Sequence, residues 1–161
     1  MSKPIIGVMG PGDGASQTDL KYAYELGKLI AEQHWILLTG GRNAGVMDSA
    51  SKGARNSGGL TVGILPSENK SGMSEYIDIP ICTGMGGARN NINVLSSDVV
   101  VACGTGAGTT SEVMLALKSD KPVLLLNPSE KLVQLLGALP YPDPAIASSP
   151  QKAITLIRQI I

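Results

Sequence analysis

The sequence predicts an α/β fold: a single Rossmann-like domain over residues 1–161, with a mostly parallel sheet and helices on both faces. Three observations lead to this prediction. Short, continuous apolar runs alternate with segments of helical periodicity, which is typical of strands covered on both faces of a sheet. Several of these runs end in glycine-rich turns that open a helix. A chain of this length suits one hydrophobic core.

The elements follow in order from the apolar runs and the residues that stop them. Ser16 or Thr18 is positioned to cap the first helix, and Pro66 ends the third strand. The predicted strands are 5–9, 35–39, 60–65, 76–81, 98–103 and 122–126. The predicted helices are 19–33, 45–56, 88–97, 109–119, 129–136 and a last one that follows a proline-rich stretch and runs through residue 161.

Composition and charge exclude several classes of function. The chain has 13 basic and 13 acidic residues and no basic stripe, so we expect no nucleic-acid partner. No apolar stretch approaches 18 residues and no signal peptide is visible, so we expect a cytoplasmic protein without membrane contact. The two cysteines, Cys82 and Cys103, are far apart and accompany a single histidine, which predicts neither a disulfide nor a metal site.

The strongest local signal is the glycine- and hydroxyl-rich segment 104–112, which follows a buried strand and opens a helix. Glycines allow the backbone to approach a ligand closely, and the first N–H groups of a helix lack internal partners at its positive end. The pattern therefore predicts an anion site. The candidate binding residues here are Gly104, Thr105, Gly106, Ala107, Gly108, Thr109 and Thr110.

Two further glycine turns stand at strand ends. The second strand leads into Gly40, Gly41 and Arg42, where the arginine is a candidate partner for a phosphate. The first leads into the turn that begins Gly10, Pro11 and Gly12. This turn lacks the G-x-G-x-x-G spacing, and no acidic residue ends the second strand to hold a ribose, so an NAD-dependent dehydrogenase is discounted.

A fourth glycine turn delivers Arg89 and Asn90 to the start of a helix. Glu112 lies three residues after Thr109, so the two share one helix face. The carboxyl ends of parallel strands meet at one edge of a sheet, and ligands bind there at the switch point of strand order. We therefore expect all four turns to converge on one crevice that binds a phosphate-bearing small molecule.

At these motifs the chain resembles the LOG-like family, whose enzymes are phosphoribohydrolases that release a base from a nucleoside monophosphate. Their P-G-G-x-G-T-x-x-E motif is matched from Gly106 to Glu112, with Gly104 and Thr105 in place of Pro and Gly. The resemblance makes Arg89 and Glu112 the catalytic candidates. The enzymes have a lysine where this chain has Asn90, a difference that favours a binding protein over a hydrolase.

The chain resembles more closely a non-enzymatic branch of that family, the molybdenum cofactor carrier proteins, over about residues 3–126. The match lies in the opening 3–12, in 35–47, and in 88–93 with Ser96 and Ser97. The resemblance implies a cytoplasmic homotetramer that binds and shields molybdopterin-bound molybdenum as cargo and passes it to molybdenum enzymes. The phosphoribohydrolase remains the alternative, and a sensor of another nucleotide is a third possibility.

Overall fold

A seven-stranded sheet forms the centre of the computed structural model, which describes residues 2–161. Neighbouring strands are parallel throughout, in the order β4-β3-β2-β1-β5-β6-β7. The strands are β1 Ile5–Met9, β2 Ile36–Thr39, β3 Thr61–Leu65, β4 Ile79–Cys82, β5 Val99–Cys103, β6 Val123–Leu126 and β7 Ala145–Ala147. The strand order reverses between β1 and β5, which is where open α/β sheets bind ligands.

Six α-helices cover the two faces of the sheet. They are α1 Gln17–Glu32, α2 Gly45–Asn56, α3 Asn90–Leu95, α4 Ala107–Lys118, α5 Glu130–Gly137 and α6 Pro150–Ile157, with a short 3-10 helix at Gly86–Arg89. One aliphatic core joins α1, α2 and α6 to the sheet, and a second joins α3, α4 and α5 to the opposite face. The predicted α/β fold with helices on both faces is therefore confirmed. None of the helices in residues 2–161 is both long and apolar enough to cross a membrane.

The main differences between the structure and the sequence prediction concern four elements. Strand β7 was missed because it is only three residues long, follows a proline-rich stretch and leaves Ile146 exposed. The helix predicted over 88–97 is divided between the 3-10 helix and α3, and the last helix ends at Ile157. Helix α4 begins at Ala107, two residues earlier than predicted, because Gly106 takes the extended cap position. This shift places Ala107, Gly108 and Thr109 in the first turn.

Candidate functional site

A crevice of about 470 Å³ opens at the carboxyl ends of the central strands. This volume is in the range that small-molecule sites occupy. The loops after β1, β2 and β5 and the 3-10 helix before α3 form its walls. Thirteen of the sixteen predicted binding residues line it: Gly10, Pro11, Gly12, Gly40, Arg42, Arg89, Asn90, Thr105, Gly106, Ala107, Gly108, Thr109 and Glu112. That these residues contact a ligand stays a prediction.

Three predicted residues, Gly41, Gly104 and Thr110, do not line the crevice. Gly41 and Gly104 instead shape the turns, since both have a positive φ. Four lining residues were not among the predicted ones: Met9, Gly14, Met47 and Gly87. The methionines carry no distinguishing signal, because a buried Met at a strand end or on a helix matches the pattern of a core residue.

The first turn of α4 presents unpaired backbone donors to the crevice. Gly106 caps the helix without a side-chain hydrogen bond. Within residues 2–161 the N–H groups of Ala107, Gly108 and Thr109 donate to no protein acceptor. The Thr109 hydroxyl lies in the same turn, is buried, and also has no partner among the described residues. Backbone donors at the positive end of a helix and a buried unpaired hydroxyl together suit a bound anion.

Arg89 is buried and held by the protein itself. Its Nε donates to the carbonyl oxygen of Ile64 at 2.7 Å, and its Nη2 donates to that of Gly40 at 3.2 Å. The side chain thus joins the carboxyl ends of β2 and β3. Burial lowers the pKa of the Arg89 guanidinium; the negative charge of Glu112 opposes this effect and Arg42 reinforces it. Arg89 therefore contributes positive charge to the crevice while most of its donors are already engaged.

Arg42 is the free cation of the crevice. Its side chain is exposed, and its guanidinium takes part in none of the ion pairs or hydrogen bonds found within residues 2–161. Its backbone is anchored by a bridge to Met73. A charged side chain on a fixed backbone can turn toward an anion, and a charge-assisted contact is about twice as strong as a neutral one.

Glu112 lies at the buried end of the crevice and is 6% exposed. The Asn93 side chain donates from Nδ2 to Glu112 Oε1 at 2.8 Å. Burial raises the pKa of Glu112 to about 7, against the lowering effects of the Asn93 hydrogen bond and of Arg89. Asn93 Oδ1 is buried without a partner in the described chain. This carboxyl group therefore changes charge near neutral pH.

Asn90 connects the arginine to helix α4. Its Oδ1 accepts from Arg89 Nη1 at 3.2 Å, and its Nδ2 donates to Ser111 Oγ at 3.0 Å. The Ser111 hydroxyl in turn donates to the carbonyl oxygen of Gly108. The neutral amide thereby bridges two walls of the crevice.

The cysteines lie apart from this chemistry. Burial and, to a smaller extent, the negative charge of Asp19 raise the pKa of the Cys103 thiol to about 12. Cys103 therefore packs as a small apolar side chain, whereas Cys82 is exposed on β4. Residues 2–161 contain no group of three or more His, Cys, Asp or Glu side chains placed to hold a metal ion.

Residues 3–154 match the model of the SLOG cluster4 family. The chain belongs to the SLOG cluster4 family. Its resemblance to that family therefore continues well beyond residue 126, where the motifs recognised in the sequence end.

Two solved structures are similar to this chain over nearly their whole length. The molybdenum cofactor binding protein from Rippkaea orientalis is 61% identical, with a TM-score of 0.97 and coverage of 99% of this chain and 98% of that one. The Moco carrier protein from Chlamydomonas reinhardtii is 49% identical, with a TM-score of 0.91 and the same coverage.

A third relative is an enzyme. The cytokinin riboside 5'-monophosphate phosphoribohydrolase of Mycobacterium tuberculosis is 30% identical over 117 residues, which are 68% of this chain and 63% of the enzyme. Identity and coverage are much higher for the two cofactor-binding structures than for this enzyme.

Proposed function

We propose that this SLOG cluster4 chain is a carrier that binds the molybdenum cofactor in its crevice and stores it for molybdenum enzymes. The observation that carries the proposal is the 61% identity, over 99% of the chain, with a molybdenum cofactor binding protein. The proposal places the carrier in the cytoplasm, where its exposed Cys82 thiol remains reduced.

The crevice supports this cargo at its phosphate end. The cofactor is a pterin with a terminal phosphate, and the free N–H groups of Ala107, Gly108 and Thr109 suit a phosphate group. Gly108 leaves room for it, since a Cβ atom there would have only Asn90 Nδ2 near it, at 3.9 Å. Arg42 lines the same crevice and would approach the phosphate from the loop after β2.

The test is to purify the protein from a host that makes the cofactor and to measure molybdenum and pterin per chain. The proposal expects both to co-purify in equal amounts, at up to one of each per chain. A matched preparation from a host that cannot make the cofactor is the control. Protein from the competent host that carries neither molybdenum nor pterin would contradict the proposal.

We also propose that the chain has no useful phosphoribohydrolase activity. Hydrolysis needs a stabilised sugar cation and a stabilised phosphate, and here the neutral Asn90 stands at the position of a charged lysine. Replacing a charge-assisted contact at the transition state costs on the order of 2–3 kcal/mol, about a hundredfold in rate. Gly104 has a φ of +82°, which proline cannot adopt, so this turn cannot carry the proline of the enzyme motif.

Chromatographic assay of free-base release from AMP and isoprenylated AMP tests this second proposal. We expect no release above the rate of a protein-free blank. Turnover near one per second, on the order of an ordinary enzyme, that disappears in Glu112→Gln would establish the enzyme and contradict the carrier assignment.

Finally, we propose that the carrier assembles into a homotetramer. Apolar side chains that an isolated chain leaves exposed support this: Ile79 and Ile81 on the edge strand β4 and Leu95 on α3 are 44–50% exposed. An apolar edge strand is a surface that proteins cover. Light scattering at micromolar concentration should return about four times the 16.6 kDa of one chain. A mass of one chain would contradict it.

A further inference from the structure

We propose that Asp19 is a positioning residue that fixes the turn before α4, so that the first N–H groups of the helix face the crevice. The inference rests on the proposed function, because it concerns the phosphate end of the same site. Asp19 itself lies outside the crevice, at the start of α1 on the outer side of the turn.

The carboxylate of Asp19 is buried, and both its oxygens are used. Oδ2 accepts from the backbone N–H of Ser16 at 2.9 Å, and Oδ1 accepts from Asn127 Nδ2 at 2.8 Å. Ser16 belongs to the loop after β1, and Asn127 follows β6. One carboxylate therefore joins the segments on both sides of β5.

The turn itself packs against this carboxylate. Gly104 has a φ of +82°, and a Cβ atom there would lie 2.7 Å from Asp19 Cγ and Oδ1. The Gly104 Cα thus rests directly on the carboxylate, and the Gly104 N–H donates to the carbonyl oxygen of Leu126 at 2.9 Å. Asp19 therefore sets the path of the chain two residues before the cap of α4.

A second contact holds the next residue of the turn. The Ser129 N–H donates to Thr105 Oγ1 at 2.9 Å. Asp19, Leu126 and Ser129 therefore contact the turn on the side away from the crevice. The N–H donors of the first turn of α4 remain unpaired on the crevice side. The buried, unpaired Thr109 hydroxyl beside those donors is the independent sign that a ligand completes this turn.

The chemistry requires a carboxylate rather than any polar group. Both partners of Asp19 are donors, so an amide at position 19 would direct its own NH₂ group at one of them. Asp19→Asn keeps the shape of the side chain and removes one of its two hydrogen bonds. Combining it with Asn127→Asp restores the pairing, because the amide at position 19 then donates to a carboxylate at position 127 and accepts from Ser16.

The experiment is a titration with inorganic phosphate, followed through the backbone amide NMR signals of Ala107, Gly108 and Thr109. We expect Asp19→Asn to weaken phosphate binding at least tenfold and the double variant to restore it to within about threefold of the wild type. Ser149→Ala is the matched control. It also removes a helix-capping hydroxyl, the one that accepts from the Lys152 N–H at the start of α6, but it lies outside the crevice, so phosphate binding should be unchanged.

Undiminished phosphate binding by Asp19→Asn, or an equal loss in Ser149→Ala, would overturn the inference. If Asp19→Asn does not fold, Asn127→Ala is the variant to test, because it removes only the hydrogen bond from Asn127 to Asp19. We expect Asn127→Ala to fold and to bind phosphate more weakly than the wild type. Wild-type affinity would refute the positioning role. Failure of the carrier proposal is seen separately, in wild-type protein that binds phosphate at α4 but carries no molybdenum or pterin.

Discussion

Two corners of the molecule share the pattern of a buried strand, a glycine turn and a helix, yet they differ in what lies before the helix. In the closed corner, residues 44–46, the Val46 N–H donates to the carbonyl oxygen of Pro11 at 3.0 Å. A Cβ atom at Gly45 would collide with the carbonyl oxygens of Gly12 and Pro11. In the open corner, residues 104–109, the N–H groups of Ala107, Gly108 and Thr109 donate to no acceptor in the described chain, and a Cβ atom at Gly108 would have only Asn90 Nδ2 near it, at 3.9 Å.

The buried polar groups behind the two corners differ in the same way. Behind the closed corner, Thr39 accepts from the Gly41 N–H and Ser51 donates to the carbonyl oxygen of Met47. Behind the open corner, Thr109 Oγ1 and Asn93 Oδ1 have no partner in the described chain. One motif pattern thus has two outcomes: the closed corner is filled by the protein itself, and the open corner keeps the unpaired donors that we propose bind a ligand.

The largest expected effect is on folding at the closed corner. Gly45→Ala should lower the free energy of unfolding by at least about 3 kcal/mol, because it forces a left-handed residue against two carbonyl oxygens. Gly108→Ala, in the open corner, is the matched control and should change it by no more than about 1 kcal/mol. Urea unfolding measures both. Equal free energies of unfolding for the two variants would contradict the difference between the corners.

The buried carboxyl group of Glu112 predicts that the stability of the protein depends on pH. Folding raises the pKa of Glu112 from 4.5 to about 7, so the folded state binds the extra proton between these values. The contribution of Glu112 to the free energy of unfolding is therefore largest below pH 4.5, falls as the pH rises toward 7, and is constant above that value. Across this range the free energy of unfolding decreases by about 3 kcal/mol.

Denaturant unfolding from pH 5 to 8 in the ligand-free protein checks this prediction. Glu112→Gln, which cannot ionise, should remove that component of the profile. A wild-type profile identical in shape to that of the variant would show that Glu112 titrates normally.

Gly108→Asp tests the open corner by charge. The new carboxylate should occupy the space in front of the free N–H groups and repel a phosphate, which lowers affinity for the cofactor about 100-fold, or about 2.7 kcal/mol. Gly137→Asp, at the end of α5, adds the same charge where no atom lies within 4 Å and should load normally. Molybdenum and pterin per chain report the result, and a fully loaded Gly108→Asp protein would refute the site.

The smallest expected effect belongs to the exposed arginine. Arg42→Gln should weaken phosphate binding about tenfold at low salt and less at high salt, because the contact is partly screened. Lys28→Gln also removes one positive charge, but from a residue outside the crevice, and should leave phosphate binding nearly unchanged. Calorimetric titration at two salt concentrations measures both variants; equal losses would assign the effect to net charge alone.

The sequence was sufficient to predict the fold class and most of the crevice lining, because parallel strands bring their carboxyl-end glycine turns to one edge. It could not separate the two corners. Gly45 faces carbonyl groups of the loop after β1, whereas the nearest group to the open space at Gly108 is Asn90, and both neighbours are distant in sequence from the glycines they face. Nor could it show that the donors of Arg89 are largely engaged by Ile64 and Gly40, since backbone acceptors carry no signal in the sequence.

A crystal structure of the cofactor-loaded protein tests the proposed phosphate site most directly. We predict the terminal phosphate within about 3 Å of the N–H groups of Ala107, Gly108 and Thr109, with Val46 still donating to Pro11. A phosphate bound elsewhere, with the first turn of α4 left without a ligand, would contradict it.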